Sequence, residues 1–240
     1  MRLLGCAQPW EFRYRLPILI ASQPVFAVIV HLLTASRGPW YAPDFEIWVA
    51  CLATTVAAFG IFIRLWSASI LSAGIMGSRR PETSQLVTSG PFGIVRNPLY
   101  VGTMLIFTGY SLFFGWLPAL LFFLFHAVRY QRMVQYEEYE FQQSTEQFSD
   151  YMASVPRFLP RRIPREKLHG PVFTRDALLS NALFLSIPIG MAVSSWIGTL
   201  VWLIPFELAG GMTTLLYFVI TKPGISAELG TQTDQTALAQ

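Results

Sequence analysis

The chain has 240 residues, of which 53% are hydrophobic and only 13% are charged. Because a soluble domain carries about 25% charged residues, this composition argues against a soluble globular protein and favours a helical bundle in a membrane. The net charge of +3 does not indicate a nucleic-acid partner, since the basic residues flank apolar runs and form no stripe with interleaved aromatic residues. Cys6 and Cys51 lack the spacing of metal ligands, so we expect no metal site.

Five apolar runs are candidates for membrane-embedded helices, because a helix needs about 20 apolar residues to cross a bilayer core. They are residues 16–35, 47–63, 97–128, 177–197 and 199–221. The second run ends at Arg64, which we place at the membrane interface. Glu207 and the pair Gly210 and Gly211 interrupt the last run. Glu207 is either a functional intramembrane acid or the mark of an interfacial break.

The run 97–128 is too long for one upright span, since as a single helix it would extend about 48 Å. Gly109, Gly115 and Pro118 punctuate its middle. We interpret it as a hairpin of two helices that turns near residues 114–118, with one tilted and kinked helix as the alternative. The hairpin brings the total to about six membrane segments in an all-α bundle.

Basic residues indicate which side of the membrane each loop faces. They precede the first run, lie between the second run and the hairpin, are frequent in residues 129–175, and occur again at Lys222. The loops that would face outward contain a single basic residue, Arg37. Because cytoplasmic loops are enriched in Lys and Arg, we expect an even number of spans and both termini in the cytoplasm.

The loop before the hairpin, residues 84–102, reads SQLVTSGPFGIVRNPLYVG. Its glycines allow tight turns and close approach of a ligand to the backbone. Pro98 suits the first position of a helix, and the free N–H groups of that helix start suit a carboxylate. The competing interpretation is an ordinary basic loop followed by a helix that begins at proline.

A second polar cluster follows the hairpin over residues 129–141. It contains Arg129, Arg132 and the adjacent acids Glu137 and Glu138. Acidic side chains at a membrane exit can bind the ammonium group of a ligand or hold an arginine. Taken alone, such a pair of acids is more typical of a solvated helix face.

These clusters together resemble the isoprenylcysteine carboxyl methyltransferase family and its phospholipid methyltransferase relatives. The family pattern L-V-T-x-G, R-[HN]-P-x-Y-x-G, a Glu-Glu pair and V-P-R-x-x-P is matched in order by residues 86–90, 96–102, 137–138 and 155–160. The resemblance covers residues 45–165 and implies S-adenosylmethionine as cofactor, held at the cytoplasmic face. It departs from the family at Asn97, where the eukaryotic carboxyl methyltransferases have His, and in lacking Phe-Gly before Tyr151.

The resemblance also implies the site residues. The implied cofactor-binding residues are Gln85, Leu86, Val87, Phe92, Asn97, Pro98, Leu99, Tyr100, and Glu137 or Glu138 for the cofactor's amino group. Ungapped alignment on Tyr151 shifts the acidic pair by one residue, so both acids remain candidates. Arg132 and Arg96 are the implied catalytic residues, with Arg132 as the candidate for orienting an acidic acceptor and Arg129 as the less favoured alternative.

The sequence thus predicts four parts: residues 1–44 with the first membrane helix, a methyltransferase core over 45–165, two C-terminal membrane segments over 166–222, and a disordered tail over 223–240. We expect methyl transfer to a lipophilic acceptor, such as the carboxylate of a prenylcysteine-like molecule or another small or lipid acceptor. Because no strong base accompanies the motifs, a carboxylate is favoured over a phospholipid amine or a thiol. A catalytically inactive membrane scaffold and a small transporter are the alternatives from other classes.

Overall fold

The computed structural model of the protein describes residues 5, 7–34, 47–71, 83, 86–163, 166, 169–198 and 200–221. Within these ranges the regular structure is entirely helical, which confirms the predicted all-α class. The helices are α1 (Pro9–Arg13), α2 (Arg15–Thr34), α3 (Ile47–Ile70), α4 (Pro98–Leu112), α5 (Trp116–Ser144), α6 (Gln147–Ser154), α7 (Arg175–Ser180), α8 (Ala182–Ile197) and α9 (Leu203–Thr221), with 3₁₀ turns at Gly90–Gly93 and Leu200–Trp202.

Two of the described helices, α3 and α9, are long and apolar enough to cross a membrane, and α8 is a shorter apolar helix. Large apolar side chains such as Trp48, Phe59, Leu208 and Ile220 project from α3 and α9 without protein cover. An apolar surface of this extent is typical of a protein that contacts lipid. The predicted total of six segments and the position of the termini stay predictions, and the predicted tail lies outside the described residues.

The predicted hairpin is confirmed. Helix α4 begins at Pro98, as its N-terminal proline predicts, and ends at Leu112. The turn occupies residues 113–115, where Gly115 has a φ of 133° that favours glycine. It is slightly earlier than predicted, because Pro118 lies in the first turn of α5, where a missing N–H costs nothing.

Helix α3 continues past the predicted end of the second run to Ile70, and Arg64 within it bonds partners on neighbouring helices. The placement of Arg64 at the membrane interface stays a prediction. The predicted interruption of the last run is wrong. Helix α9 runs unbroken through Glu207 and the glycine pair. A Cβ at Gly210 would lie 2.6 Å from the Ala182 carbonyl oxygen, so this glycine permits close contact with α8 rather than ending a helix.

Small residues join α3 to α4. A Cβ at Gly60 would lie 2.6 Å from the Ile106 amide nitrogen, and one at Gly102 would lie 2.7 Å from the Gly60 carbonyl oxygen. Ala53 and Ala57 are fully buried along the same contact. Because the two backbones approach this closely, α3 fixes the position of α4, which begins at the proline of the Arg-Asn-Pro motif.

Replacement of Gly60 by alanine is expected to lower the free energy of unfolding by about 1–3 kcal/mol, since the added methyl overpacks a backbone contact. Thermal unfolding of the detergent-solubilised protein measures the effect as a lower midpoint. Gly211→Ala is the matched control, because its Cβ would meet only Leu183 Cδ1 at an ordinary 3.8 Å. Equal midpoints for the two variants would contradict the close contact of α3 with α4.

The core is formed mainly by α3, α4, α5 and α8. Phe107, Phe122, Phe184 and Met191 are buried in it, and Phe107 stacks on Phe122 with ring centroids 6.0 Å apart. This core holds α4 against α3, α5 and α8, and so fixes the position of the helix that follows the Arg-Asn-Pro motif.

Candidate functional site

Two of the motifs found in the sequence meet where the first turn of α4 faces the second half of α5. The Tyr100 hydroxyl donates a hydrogen bond of 2.7 Å to Glu137 Oε1. The Tyr100 ring also lies against Tyr130, with the ring centroids 4.9 Å apart. The structure thus brings together the Arg-Asn-Pro-Leu-Tyr motif and one member of the acidic pair, as the sequence analysis anticipated.

Glu137 is a partly buried carboxylate whose hydrogen-bond partner is neutral. Burial raises the pKa of Glu137 to about 7, against the opposing effects of the Tyr100 hydrogen bond and the charge of Arg15. Desolvation of an anion favours its protonated form. A cationic ligand group that reaches Glu137 would relieve this cost, so the carboxylate has the properties of a binding site for an ammonium group.

Glu138 has a different environment, because both of its oxygens are held by arginines. Arg96 lies 3.0 Å from Oε1 through Nη2, and Arg157 binds Oε2 through Nη2 and Oε1 through Nε. Arg96 also donates to the carbonyl oxygens of Met152 and Val155. This network links α5 to the residues that directly precede α4 and to the segment after α6. Because both oxygens of Glu138 already accept hydrogen bonds from arginines, neither is free to bind a ligand ammonium.

Contacts with α6 hold the loop before α4 in place. The Tyr151 hydroxyl donates a 2.7 Å hydrogen bond to the Phe92 carbonyl oxygen, and Leu86 packs on the cluster of Phe148, Tyr151 and Val155. Val87 is half-buried. Gln85, the remaining predicted cofactor residue of this loop, lies outside the described residues.

Asn97 precedes α4 and is 9% exposed. Its side chain donates from Nδ2 to the Arg157 carbonyl oxygen at 3.3 Å and does not cap the helix. Pro98 is fully buried and Leu99 half-buried. The amide at position 97 therefore acts here as a link to the Val-Pro-Arg motif.

Arg132 is engaged by an acid that the sequence analysis did not consider. Its Nη2 lies 2.7 Å from Glu11 Oε1 on α1, and its carbonyl oxygen accepts from the Ala7 amide. Burial alone would raise the pKa of Glu11, but the Arg132 hydrogen bond and charge lower it below its usual value. The structure thus places both predicted catalytic arginines, Arg96 and Arg132, in ion pairs.

Sequence reasoning gave Arg157 no role although the Val-Pro-Arg motif was recognised, and that motif was the available signal. It also gave no role to Arg64, whose partners in the structure are Thr103 and Asn181. The signal available for Arg64 was its charge within an otherwise apolar stretch. Glu11 had no signal beyond its charge.

Residues 48–145 match the phospholipid methyltransferase family. The predicted resemblance is confirmed over these residues, which we call the methyltransferase segment. It includes the α3–α4 contact, the hairpin, Tyr100 and both acids, whereas Arg157 and helices α6–α9 lie beyond it. The family supports a membrane methyltransferase in general terms.

Two curated relatives also match. The cobalt-zinc-cadmium resistance protein CzcN of Cupriavidus metallidurans is 32% identical over 143 residues, and the nickel-cobalt-cadmium resistance protein NccN of Alcaligenes xylosoxydans xylosoxydans is 25% identical over 142 residues. Each match covers 57% of this chain and 62% of the relative, so the chain spans less than two thirds of their length. No solved structure matches the chain.

Proposed function

We propose that the protein is a membrane-embedded methyltransferase that moves the methyl group of S-adenosylmethionine to a lipophilic acceptor. The acceptor would be the carboxylate of a prenylcysteine-like molecule or another small or lipid molecule. The observation that carries the proposal is the pairing of Tyr100 with Glu137 within the methyltransferase segment. Among the described residues, the hydrogen-bond partner of this carboxylate is a neutral hydroxyl beside the start of α4.

The residues present suit this cofactor. Glu137 would hold its ammonium group, the N–H groups of the first turn of α4 would face its carboxylate, and Leu86, Val87 and Phe92 would pack near its adenosine. The Tyr100 and Tyr130 rings suit a sulfonium, since aromatic faces attract cations. When bound, the cofactor supplies an electrophilic methyl group for in-line displacement.

The protein's own contribution would be positioning and exclusion of water. Phe12 of α1 and Met133 are buried with Tyr130 in one apolar cluster, against which Tyr100 and Tyr136 pack. This cluster covers the side of α5 that carries Glu137. A carboxylate acceptor is already ionised, so no base is needed to remove a proton from it. Several of the nearby charged side chains are held in ion pairs with other residues, which is consistent with a reaction that needs no base.

Affinity for S-adenosylmethionine is expected to rise about fivefold from pH 6 to pH 7.5. Glu137 must be ionised to hold an ammonium, and with a pKa of about 7 it is mostly protonated at pH 6 and mostly charged at pH 7.5. Above about pH 7.5 affinity should fall again as the cofactor's amine loses its proton. Titration calorimetry at several pH values checks this, and a flat profile would contradict the role of Glu137.

Calorimetric titration of the full chain in detergent with S-adenosylmethionine tests the function itself. Saturable binding at pH 7.5, followed by transfer of a labelled methyl group to a membrane extract, is the expected result. Binding without transfer would favour an inactive scaffold, and absence of binding would exclude the proposal. A methylated amine or thiol among the products would identify the alternative acceptor classes.

A further inference from the structure

Arg64 is a charged residue that lies within α3, six residues before its end, or about 9 Å along the helix. Its Nε donates to Asn181 Oδ1 at 2.8 Å, and its Nη1 donates to Thr103 Oγ1 at 2.6 Å. Its Cζ lies 3.7 Å from the centroid of the Phe184 ring. The guanidinium is therefore fixed by three helices, α3, α4 and the start of α8.

All three of these partners are neutral. Among the residues that the structure describes, no carboxylate forms an ion pair with Arg64. Arg96, Arg132 and Arg157, by contrast, each pair with an acid. Arg129 also lacks an ion pair among the described residues, but it is 6% exposed and is enclosed by His126 and the Arg15 carbonyl oxygen. Arg64 is partly exposed, so an anion from outside the chain can reach it. The neutral partners hold its positive charge in place for such an anion.

The hydrogen bonds of Arg64 use Nε and Nη1, so within the described part of the chain the Nη2 donors remain for another partner. Thr103, which accepts a hydrogen bond from Arg64, lies about one turn after Tyr100 on α4. Tyr100 is the residue that hydrogen-bonds Glu137. The free edge of the guanidinium thus lies about one helical turn further along α4 than the proposed methyl-donor site.

We propose that Arg64 binds an anionic oxygen group of the methyl acceptor, a carboxylate or a phosphate, and that Asn181 and Phe184 position it. The inference rests on the proposed function and names the charge of its acceptor. It also gives the C-terminal helices a role, because α8 lies beyond the methyltransferase segment and supplies both positioning side chains. A planar guanidinium with free donors matches carboxylate and phosphate oxygens.

Asn181 is well suited to this positioning. It is fully buried, and its Nδ2 donates to the Ala177 carbonyl oxygen at 2.8 Å, which directs Oδ1 toward Arg64. A neutral acceptor at this point orients the guanidinium without neutralising it. An aspartate would hold the same position but would supply an internal counter-ion that competes with the acceptor.

The experiment titrates the full chain in non-ionic detergent with four twelve-carbon amphiphiles, with and without S-adenosylmethionine. Dodecanoate and dodecyl phosphate carry the anion, and dodecanol and dodecyltrimethylammonium are the neutral and cationic controls. We expect at least one anion to bind saturably and about 10–100-fold more tightly than the controls. Which of the two binds distinguishes a carboxylate from a phosphate acceptor.

Arg64→Gln should remove this preference for the anion while leaving the affinity for S-adenosylmethionine unchanged, and Arg64→Lys should retain part of it. Asn181→Asp should weaken anion binding about tenfold, and the chain should still fold because an ion pair with Arg64 offsets the lost hydrogen bond from Nδ2 to the Ala177 carbonyl oxygen. This second variant keeps the test decisive if Arg64→Gln fails to fold. A merely structural Arg64 would leave anion binding unaffected by Asn181→Asp.

Equal binding of anions and controls, or anion binding that survives both substitutions, would overturn the inference. Failure of the wild-type chain to bind S-adenosylmethionine would instead overturn the proposed function, whatever the amphiphiles do. The same set of titrations therefore distinguishes failure of this inference from failure of the proposed function.

Discussion

Glu137→Gln is expected to weaken the binding of S-adenosylmethionine by about 10–100-fold at pH 7.5, because a charge-assisted hydrogen bond contributes about 1.5–3 kcal/mol. The amide keeps the size of the side chain and still accepts the Tyr100 hydroxyl, so the helix packing should persist. Calorimetric titration measures the affinity, and thermal unfolding checks that the fold is intact. The variant should also lose the rise in affinity between pH 6 and pH 7.5.

Glu146→Gln is the matched control for this substitution. Glu146 is exposed just beyond the end of α5, so the same loss of one negative charge there should leave the affinity within a factor of two. Equal affinity of Glu137→Gln and wild type would rule out Glu137 as the partner of the cofactor's amino group.

Glu138→Gln is expected to lower the free energy of unfolding by about 3–5 kcal/mol, since it leaves two arginines partly buried beside a neutral amide. Arg96 and Arg157 are 11% and 29% exposed, and the Glu138 side chain is 10% exposed. The link between α5 and the segment after α6 should loosen with it. Thermal unfolding and limited proteolysis around residues 155–163 measure the two effects.

Glu140→Gln on the same helix is the control, because Glu140 has no ion pair among the described residues. It should unfold at the wild-type midpoint. A Glu138→Gln variant that kept wild-type stability but lost cofactor binding would reverse the assignment and make Glu138 the ligand. The pair of experiments therefore separates the two adjacent acids by two different observables.

Much of the fold was predictable because it depends on local pattern. The uncharged run 97–128 exceeds the length of one span, so a hairpin was required, and Pro98 marked the start of α4. The order of motifs indicated the methyltransferase segment. The predicted break of the last run at Glu207 and the glycine pair is wrong, because these residues were taken to interrupt a helix, whereas partners on other helices accommodate Glu207 and Gly210. Tyr110 hydrogen-bonds Glu207.

The sequence by itself determined an apolar, all-helical chain, a hairpin, and the residues that gather at the start of α4. Only the tertiary structure decided which acid is available to a ligand. Adjacent residues on a helix point about 100° apart, so Glu137 faces Tyr100 on α4 while Glu138 faces Arg96 and Arg157. The same packing engaged Arg132 with Glu11 and brought Asn181 to Arg64. Such pairings join residues far apart in the chain, and no local pattern encodes them.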